Sequence, residues 1–394
     1  MKLLSKYRID DYAIDAHKCL RCGFCVTLCP IHTHSKWESE SPRGRMLLIR
    51  EMLEEGLKPN PIIIDRIFEC TLCGYCKYRC PAGVRTIDAY KAVRHQLDEL
   101  NLSPEPANIL EKYLIESGNI FNHPKETRIE WIDYMDLAYS IKKVNKPAEI
   151  VYFTGCSTVL SGRAMSIAAA TASLLNYLGL DWTLLGENEK CCGNPLLLSG
   201  KLKHAEALAK HNVEAIEKLG ASIVVTSCPG CYKVLKSEYP EIVGKFNFEV
   251  LHITQLLEQA LDDGKLKFKS KIEAKIAYHD PCELGRLMNV FDPPRKIIEN
   301  IPGAKLVEFI YNRNFAQCCG AGGLMKATFP NIALNQAIVK LTEAHEVEAE
   351  ILASACQTCK LNMMDAASEK NDEIKIADIT ELVAKALGIF ESNI

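Results

Sequence analysis

The chain has 394 residues, 48% of them hydrophobic and 25% charged, with a formal net charge of −3. That length leaves room for two or three domains. The near balance of charge, without any basic block, excludes a nucleic-acid surface, and no stretch of about twenty uninterrupted apolar residues exists to form a transmembrane helix. The informative residue type is cysteine: there are eighteen, and every one falls into a repeated spacing.

The N-terminal stretch MKLLSKYRIDDYAID lacks the long apolar run of a secretory leader and soon turns acidic. The cysteines are therefore read as metal ligands rather than disulfides. Two copies of C-x2-C-x2-C-x3-C-P come first, at Cys19, Cys22, Cys25, Cys29-Pro30 and at Cys70, Cys73, Cys76, Cys80-Pro81. This is the bacterial spacing for a cubane 4Fe–4S cluster, in which the fourth cysteine serves the other cluster. Cluster I is assigned to Cys19, Cys22, Cys25 and Cys80, and cluster II to Cys70, Cys73, Cys76 and Cys29. Closed four-cysteine zinc sites would not need the x3-C-P tail, which occurs twice. Pro30 and Pro81 turn the chain away from each site. His32 and His34 follow the first motif and read as an exposed turn. The spacer carries helical periodicity over 46–53, and a second helix is predicted over 86–100.

Residues 101–147 read as a helical connector. An internal repeat follows. Cys156, Cys191-Cys192-Gly193 and Cys228-x-x-Cys231 recur as Cys282, Cys318-Cys319-Gly320 and Cys356-x-x-Cys359. Ala148–Cys156 (AEIVYFTGC) matches Ala274–Cys282 (AKIAYHDPC) as a strand delivering a cysteine at its end. Ile223–Cys231 matches Ile351–Cys359 in the same way. Helices are predicted over 164–180, 201–219 and 331–348. Strands alternating with helices predict mainly parallel sheets, with ligands at the strands' C-terminal ends. The expected fold is thus α+β and multidomain: an N-terminal helical iron–sulfur module (1–100), the connector (101–147), and two pseudo-symmetric α/β lobes (148–270 and 271–394).

Several other residues stand near the cysteine motifs. Lys190, Lys233, Arg286, Lys326 and Lys360 read as solvated surface charges. His279 reads equally as a proton donor or bonding partner for cluster sulfur and as a satisfied structural histidine. His204 and His211 share a helix face and read as structural. The run Cys319-Gly320-Ala321-Gly322-Gly323 does not fit G-x-G-x-x-G. Its glycines are expected to bring backbone amides close to a cluster.

The joined helices and motifs of the N-terminal module resemble the alpha-helical ferredoxin module of succinate dehydrogenase-type subunits. The repeated C-x(30s)-CCG-x(30s)-CxxC pattern resembles the CCG domain family. The whole layout is similar to the D-type subunit of heterodisulfide reductase, and to iron–sulfur subunits of glycerol-3-phosphate, glycolate and lactate dehydrogenases. The resemblance implies two non-cubane 4Fe–4S clusters besides the two cubanes. One takes Cys156, Cys191, Cys192, Cys228 and Cys231; the other takes Cys282, Cys318, Cys319, Cys356 and Cys359. These ten are the candidate catalytic residues. The implied activity is reduction of a disulfide of the coenzyme M–coenzyme B type between the two sites. The dehydrogenase relatives imply instead a non-catalytic electron carrier for an FAD-dependent enzyme. All ten positions are cysteine here, whereas dehydrogenase subunits often lack part of the second set, which favours the reductase reading. The implied partner is a membrane heme subunit or a flavoprotein. A cytoplasmic, anaerobic location is expected, with any membrane association made through that partner.

Overall fold

The computed structural model describes residues 7–54, 56–137 and 140–390. Residues 1–6, part of the stretch read for a leader, and residues 138–139 of the expected connector lie outside the description.

The N-terminal module is helical, as its periodicity predicts. Helix α1 (Pro42–Glu54) starts at Ser41, whose Oγ accepts the Gly44 amide at 3.0 Å. Helix α2 (Pro61–Phe68) is capped by Asn60, which accepts the Ile63 amide at 3.1 Å, with proline in the first turn. Helix α3 (Thr86–Glu99) buries Tyr90, Val93, Arg94 and Leu97, three to four residues apart along one face. The connector is helical only in part. After helix α4 (Glu105–Glu116) it holds two single turns, Lys125–Arg128 and Trp131–Tyr134. A left-handed Asn122 and Pro124 break the helical path between α4 and the first of these turns.

Each lobe is a four-stranded parallel sheet. In the first, β1 (Ile150–Tyr152), β2 (Trp182–Leu184), β3 (Ile223–Thr226) and β4 (Glu249–His252) stand in the order β2-β1-β3-β4. In the second, β5 (Ala274–His279), β6 (Ala304–Val307), β7 (Ile351–Ser354) and β8 (Lys375–Asp378) stand in the order β6-β5-β7-β8. The two orders are the same topology, and all pairs are parallel. The crossovers include α5 (Met165–Tyr177) and α6 (Leu202–Lys218) in the first lobe, and α8 (Asp292–Asn300) and α9 (Pro330–Glu346) in the second. Helix α7 (Ile253–Asp262) closes the first lobe; in the second, α10 (Gln357–Lys370) crosses from β7 to β8 and α11 (Ile379–Leu387) closes the lobe. Even the last caps repeat: His252 and Asp378 each form a capping box with the residue three positions on, Gln255 and Glu381.

The lobes are packed together, with α5 against α11 and α7 against α8. Carbonyl Ala386 of α11 accepts the amides of Lys269 and Ser270 in the segment expected to link the lobes. Among the described residues no helix is long and apolar enough to cross a membrane.

Candidate metal centres

The two ferredoxin-type loops have the same backbone. Arg21 and Gly23 have φ of 53° and 86°; Leu72 and Gly74 have 52° and 84°. A paired left-handed turn of this kind points successive amides inward and makes a nest for an anion such as an iron–sulfur cluster. One pocket is lined by Cys19, Cys22, Cys25, Cys76 and Cys80. The next is lined by Cys25, Cys29, Cys70, Cys73 and Cys76, so that Cys25 and Cys76 stand between the two. Burial pushes the Cys25 thiol up to about 12 and that of Cys29 to about 11, so each needs a cation's charge to become a thiolate. Cys22 is exposed, so the first loop is the module's open end.

Topology gathers the other ten cysteines. In each sheet the chain leaves the central pair of strands in opposite directions, opening a crevice between β1 and β3 and between β5 and β7. Cys156 follows β1 and Cys228 follows β3; Cys282 and Cys356 follow their counterparts. Cys228 and Cys356 cap helices, their Sγ accepting the amides of Cys231 at 3.3 Å and Cys359 at 3.4 Å. The glycine of each CCG is left-handed, Gly193 at 89° and Gly320 at 93°. A side chain at Gly320 would also strike carbonyl Ala333 at 2.7 Å, so the turn that aims both cysteines inward requires glycine.

Thiol contacts repeat in both lobes. Hydrogen bonds from Cys191 and Cys231 draw Cys192 down to about 6. Cys318 and Cys359 likewise hold Cys319 well below the ordinary thiol range. Cys156 touches Cys191, and Cys282 touches Cys318; these contacts, with burial, push Cys156 and Cys282 up. Each lobe therefore presents five free cysteines in mutual reach, the soft sulfur donor set that iron–sulfur clusters take.

All five cysteines of the first set, and Cys282, Cys319, Cys356 and Cys359 of the second, wall one cavity of about 490 Å³ between the lobes. Leu110, Ile120, Phe121, Leu198, Leu324 and Leu361 supply apolar wall; Arg163 and Lys326 supply positive charge, and both pair with Asp365.

Four of the five cations read as solvated surface charges are instead built into the protein. Lys233 is buried and bonds Glu283 at 2.9 Å and Asn194 at 3.1 Å. Lys360 is buried against both oxygens of Glu381 at 2.7 Å. Arg286 donates to the carbonyls of Cys73, Asn314 and Ala316. Lys326 pairs with Asp365 and Asn362 at the cavity wall. Lys190 is half-buried, its stem covering Gly118. A cation that leaves water needs an opposing charge or dipole, and here distant segments supply it. The histidines divide. His34 bonds Gln336 at 2.9 Å, fixing the first loop to α9. His32 meets carbonyl Trp37, His204 meets Glu111, and His211 meets carbonyl Asn188. His279 is buried beside Cys319 and Cys359, and neither ring nitrogen has a partner among the described residues. Burial, with Lys340 nearby, pulls its imidazole down to about 3, so the ring is neutral.

The glycine run brings an amide to sulfur, Gly320 N–H approaching Cys318 Sγ at 3.5 Å, and its last two glycines play a further part. A Cβ on Gly323 would lie 2.3 Å from carbonyl Cys70, and one on Gly322 would lie 3.0 Å from carbonyl Thr71. These glycines let the second lobe lie flat on the loop of the second ferredoxin motif. Along the same seam Cys73 is in hydrogen-bond contact with Cys318, which together with burial pushes Cys73 well up. Leu28 and Tyr75 enclose the two sulfurs, with Cys282 against them.

Two further groups carry no local sequence signal. Arg94 is buried and bonds carbonyls of three modules. Arg128, in the connector, donates to Cys156 Sγ at 3.1 Å and to Glu189 at 2.7 Å. Glu189 also accepts the amides of Thr154 and Gly155.

Fold and site together define an iron–sulfur oxidoreductase in which a ferredoxin-type module is docked on twin cysteine-rich lobes. Residues 15–84 match a 4Fe-4S dicluster domain, and residues 150–236 and 276–364 match the CCG cysteine-rich domain. The chain is 36% identical to the D-type subunit of the dihydromethanophenazine:CoB–CoM heterodisulfide reductase of Methanosarcina acetivorans, over 95% of each chain. It belongs to this family of heterodisulfide reductase D-type subunits, and iron–sulfur clusters are its cofactors. It is also 28% identical to the B-type subunit of the CoM/CoB fumarate reductase of Methanothermobacter marburgensis, over 97% of this chain and 75% of that one. Identity to the EtfAB:quinone oxidoreductase of Syntrophomonas wolfei is 25%, over 96% of this chain and 60% of that one. A hypothetical protein from Helicobacter pylori shares the fold, with a TM-score of 0.59 over 92% of this chain and 70% of that one, at 11% identity.

Proposed function

We propose that the chain reduces a small-molecule disulfide, of the coenzyme M–coenzyme B type, in the cavity between the lobes. The observation that carries this reading is that cysteines of both CCG sets wall one cavity of about 490 Å³. That volume lies within the roughly 300–1,000 Å³ of small-molecule sites. Breaking RS–SR′ takes two electrons and two protons and releases RSH and R′SH. Bound clusters supply electrons one at a time, so a site on either side of the bond suits a two-electron reduction.

The protein's own residues set the rest. Cys19, Cys22, Cys25 and Cys80 would hold cluster I, and Cys70, Cys73, Cys76 and Cys29 cluster II. The two CCG sets, five cysteines each, would hold the other two and act as the catalytic residues. Contact between Cys73 and Cys318 supports entry of electrons at the second set before the first. The exposed Cys22 loop supports entry from a partner protein, a heme subunit or a flavoprotein, at the far end of the module. Leucines, isoleucine and phenylalanine on the cavity wall keep out bulk water, and Arg163 with Lys326 offers an anionic substrate net positive charge. On this reading the chain divides into residues 1–100, 101–147, 148–270 and 271–394.

The test uses anaerobically purified protein with about four clusters per chain. Reduced methyl viologen supplies electrons, and its oxidation by the coenzyme M–coenzyme B heterodisulfide is followed. Turnover that disappears in Cys192→Ser or Cys319→Ser, with the cubane signals kept, is the expected result. No turnover by fully loaded protein would overturn the reading in favour of an electron carrier for a flavoprotein.

A further inference from the structure

The strands leading into the two first cysteines align, Ile150 with Ile276 and Tyr152 with Tyr278, and differ in character at the next residue. There the first lobe has Phe153 and the second has His279. Both side chains are buried, Phe153 completely and His279 to within 1%. The phenylalanine shows that packing alone at this place is satisfied by an apolar ring. A histidine brings one N–H and one lone pair, and burying both unpartnered costs free energy. Yet neither Nδ1 nor Nε2 of His279 bonds a described protein group. A ring nitrogen, Cys319 Sγ and Cys359 Sγ all lie within 4.8 Å of one another. The first lobe meets a similar need differently, with Arg128 donating to Cys156 Sγ at 3.1 Å.

We propose that His279 is a positioning residue of the second CCG site, its ring N–H donating a hydrogen bond to a sulfur of the cluster held there. The inference rests on the reading that this set holds a cluster. An N–H dipole aimed at sulfur stabilises the more negative, reduced state, so His279 raises the potential of the site that faces cluster II. It therefore helps draw electrons from the cubane into the cavity.

The experiment compares anaerobic full-length wild type, His279→Phe and His279→Asn. Iron is counted first; about sixteen per chain is expected, four per cluster. A wild type holding only about eight irons would overturn the cluster reading itself, and the proposal with it. With the full count, redox titrations are followed by electron paramagnetic resonance, the second-site signal being identified by its change in Cys359→Ser. The midpoint of that signal is expected to move negative in His279→Phe, by an amount His279→Asn partly restores. Wild type labelled with ¹⁵N-histidine is expected to show a nitrogen coupling on the same signal, lost in His279→Phe. Absence of that coupling in loaded wild type, or an unchanged midpoint in loaded His279→Phe, overturns the proposal. The wild-type spectrum decides the matter even if the phenylalanine variant fails to fold.

Discussion

Arg94 should be the most costly single residue to remove outside the cysteines. Its guanidinium is fully buried. It donates to carbonyls Ile67, Phe68 and Cys70 of the N-terminal module at 2.8–3.3 Å. It also reaches carbonyl Leu198 of the first lobe at 2.8 Å and carbonyl Gly323 of the second at 3.0 Å. Burial pulls its value down to about 10, which still leaves it charged at neutral pH. Arg94→Met keeps much of the volume and removes every donor. The carbonyls of Ile67, Cys70, Leu198 and Gly323 would then lose a partner, at about 1–3 kcal/mol each, while that of Phe68 keeps the Cys70 amide at 2.7 Å. Even the lower figure gives a loss of about 4 kcal/mol, near the extreme of single substitutions. Arg94→Lys, with three donors, can satisfy at most three carbonyls and should fall between the two. Urea unfolding of anaerobic, iron-loaded protein measures the loss. Iron content should fall with it, because carbonyl Cys70 belongs to the second ferredoxin loop. Arg94→Met within about 1 kcal/mol of wild type, a typical single-substitution cost, would refute the argument that this guanidinium joins the three modules.

Arg128→Met strands Glu189 in the interior and should cost about 3–5 kcal/mol, whereas Arg128→Met with Glu189→Met should cost less than the sum; a double-mutant cycle of unfolding free energies checks both. Gly323→Ala puts a methyl 2.3 Å from carbonyl Cys70 at a φ of 61°. It should push the second ferredoxin loop away and lower the iron count by about four, one cluster's worth; an unchanged count would show that the seam can shift. Burial and the charge of Glu381 push Asp378 up to about 7. The folded state then holds this proton more tightly than the unfolded chain, whose value is about 3.9. Its contribution to stability is full below about pH 4 and is lost as pH rises through 7, up to about 4 kcal/mol in all. Asp378→Asn keeps an oxygen to accept the Thr380 amide, so denaturation midpoints at pH 5 and pH 8 should differ less in the variant than in wild type. An equal difference in both proteins would assign the pH dependence elsewhere.

Cysteine spacing was enough to group the eighteen thiols into four sets because such spacing is a local property. A CxxC at a strand's end puts one sulfur on a helix cap, and CCG needs a left-handed glycine to turn two sulfurs inward. The repeat was equally legible, since 148–156 and 274–282 pattern the same strand. The strands β2, β4, β6 and β8 were not read. They are three or four residues long, and their place is decided by pairing with neighbours rather than by their own periodicity. The charges near the motifs were misread for a related reason. Lys233 looks solvated until Glu283 comes to it from the other lobe, and Lys360 until Glu381 is placed by α11.

By itself, then, the sequence determined what can be bound: eighteen thiols in four sets, and a duplicated α/β framework to carry ten of them. Only the tertiary structure decided what those sets face. The strand order opens the crevices at matching places in the two sheets, and packing of the lobes turns both crevices into one cavity. Gly322 and Gly323 admit the second ferredoxin loop, which sets Cys73 on Cys318 from widely separated parts of the chain. Such contacts depend on register, crossover and module docking at once. They leave no spacing in the sequence because the residues that make them are neighbours only after the chain has folded.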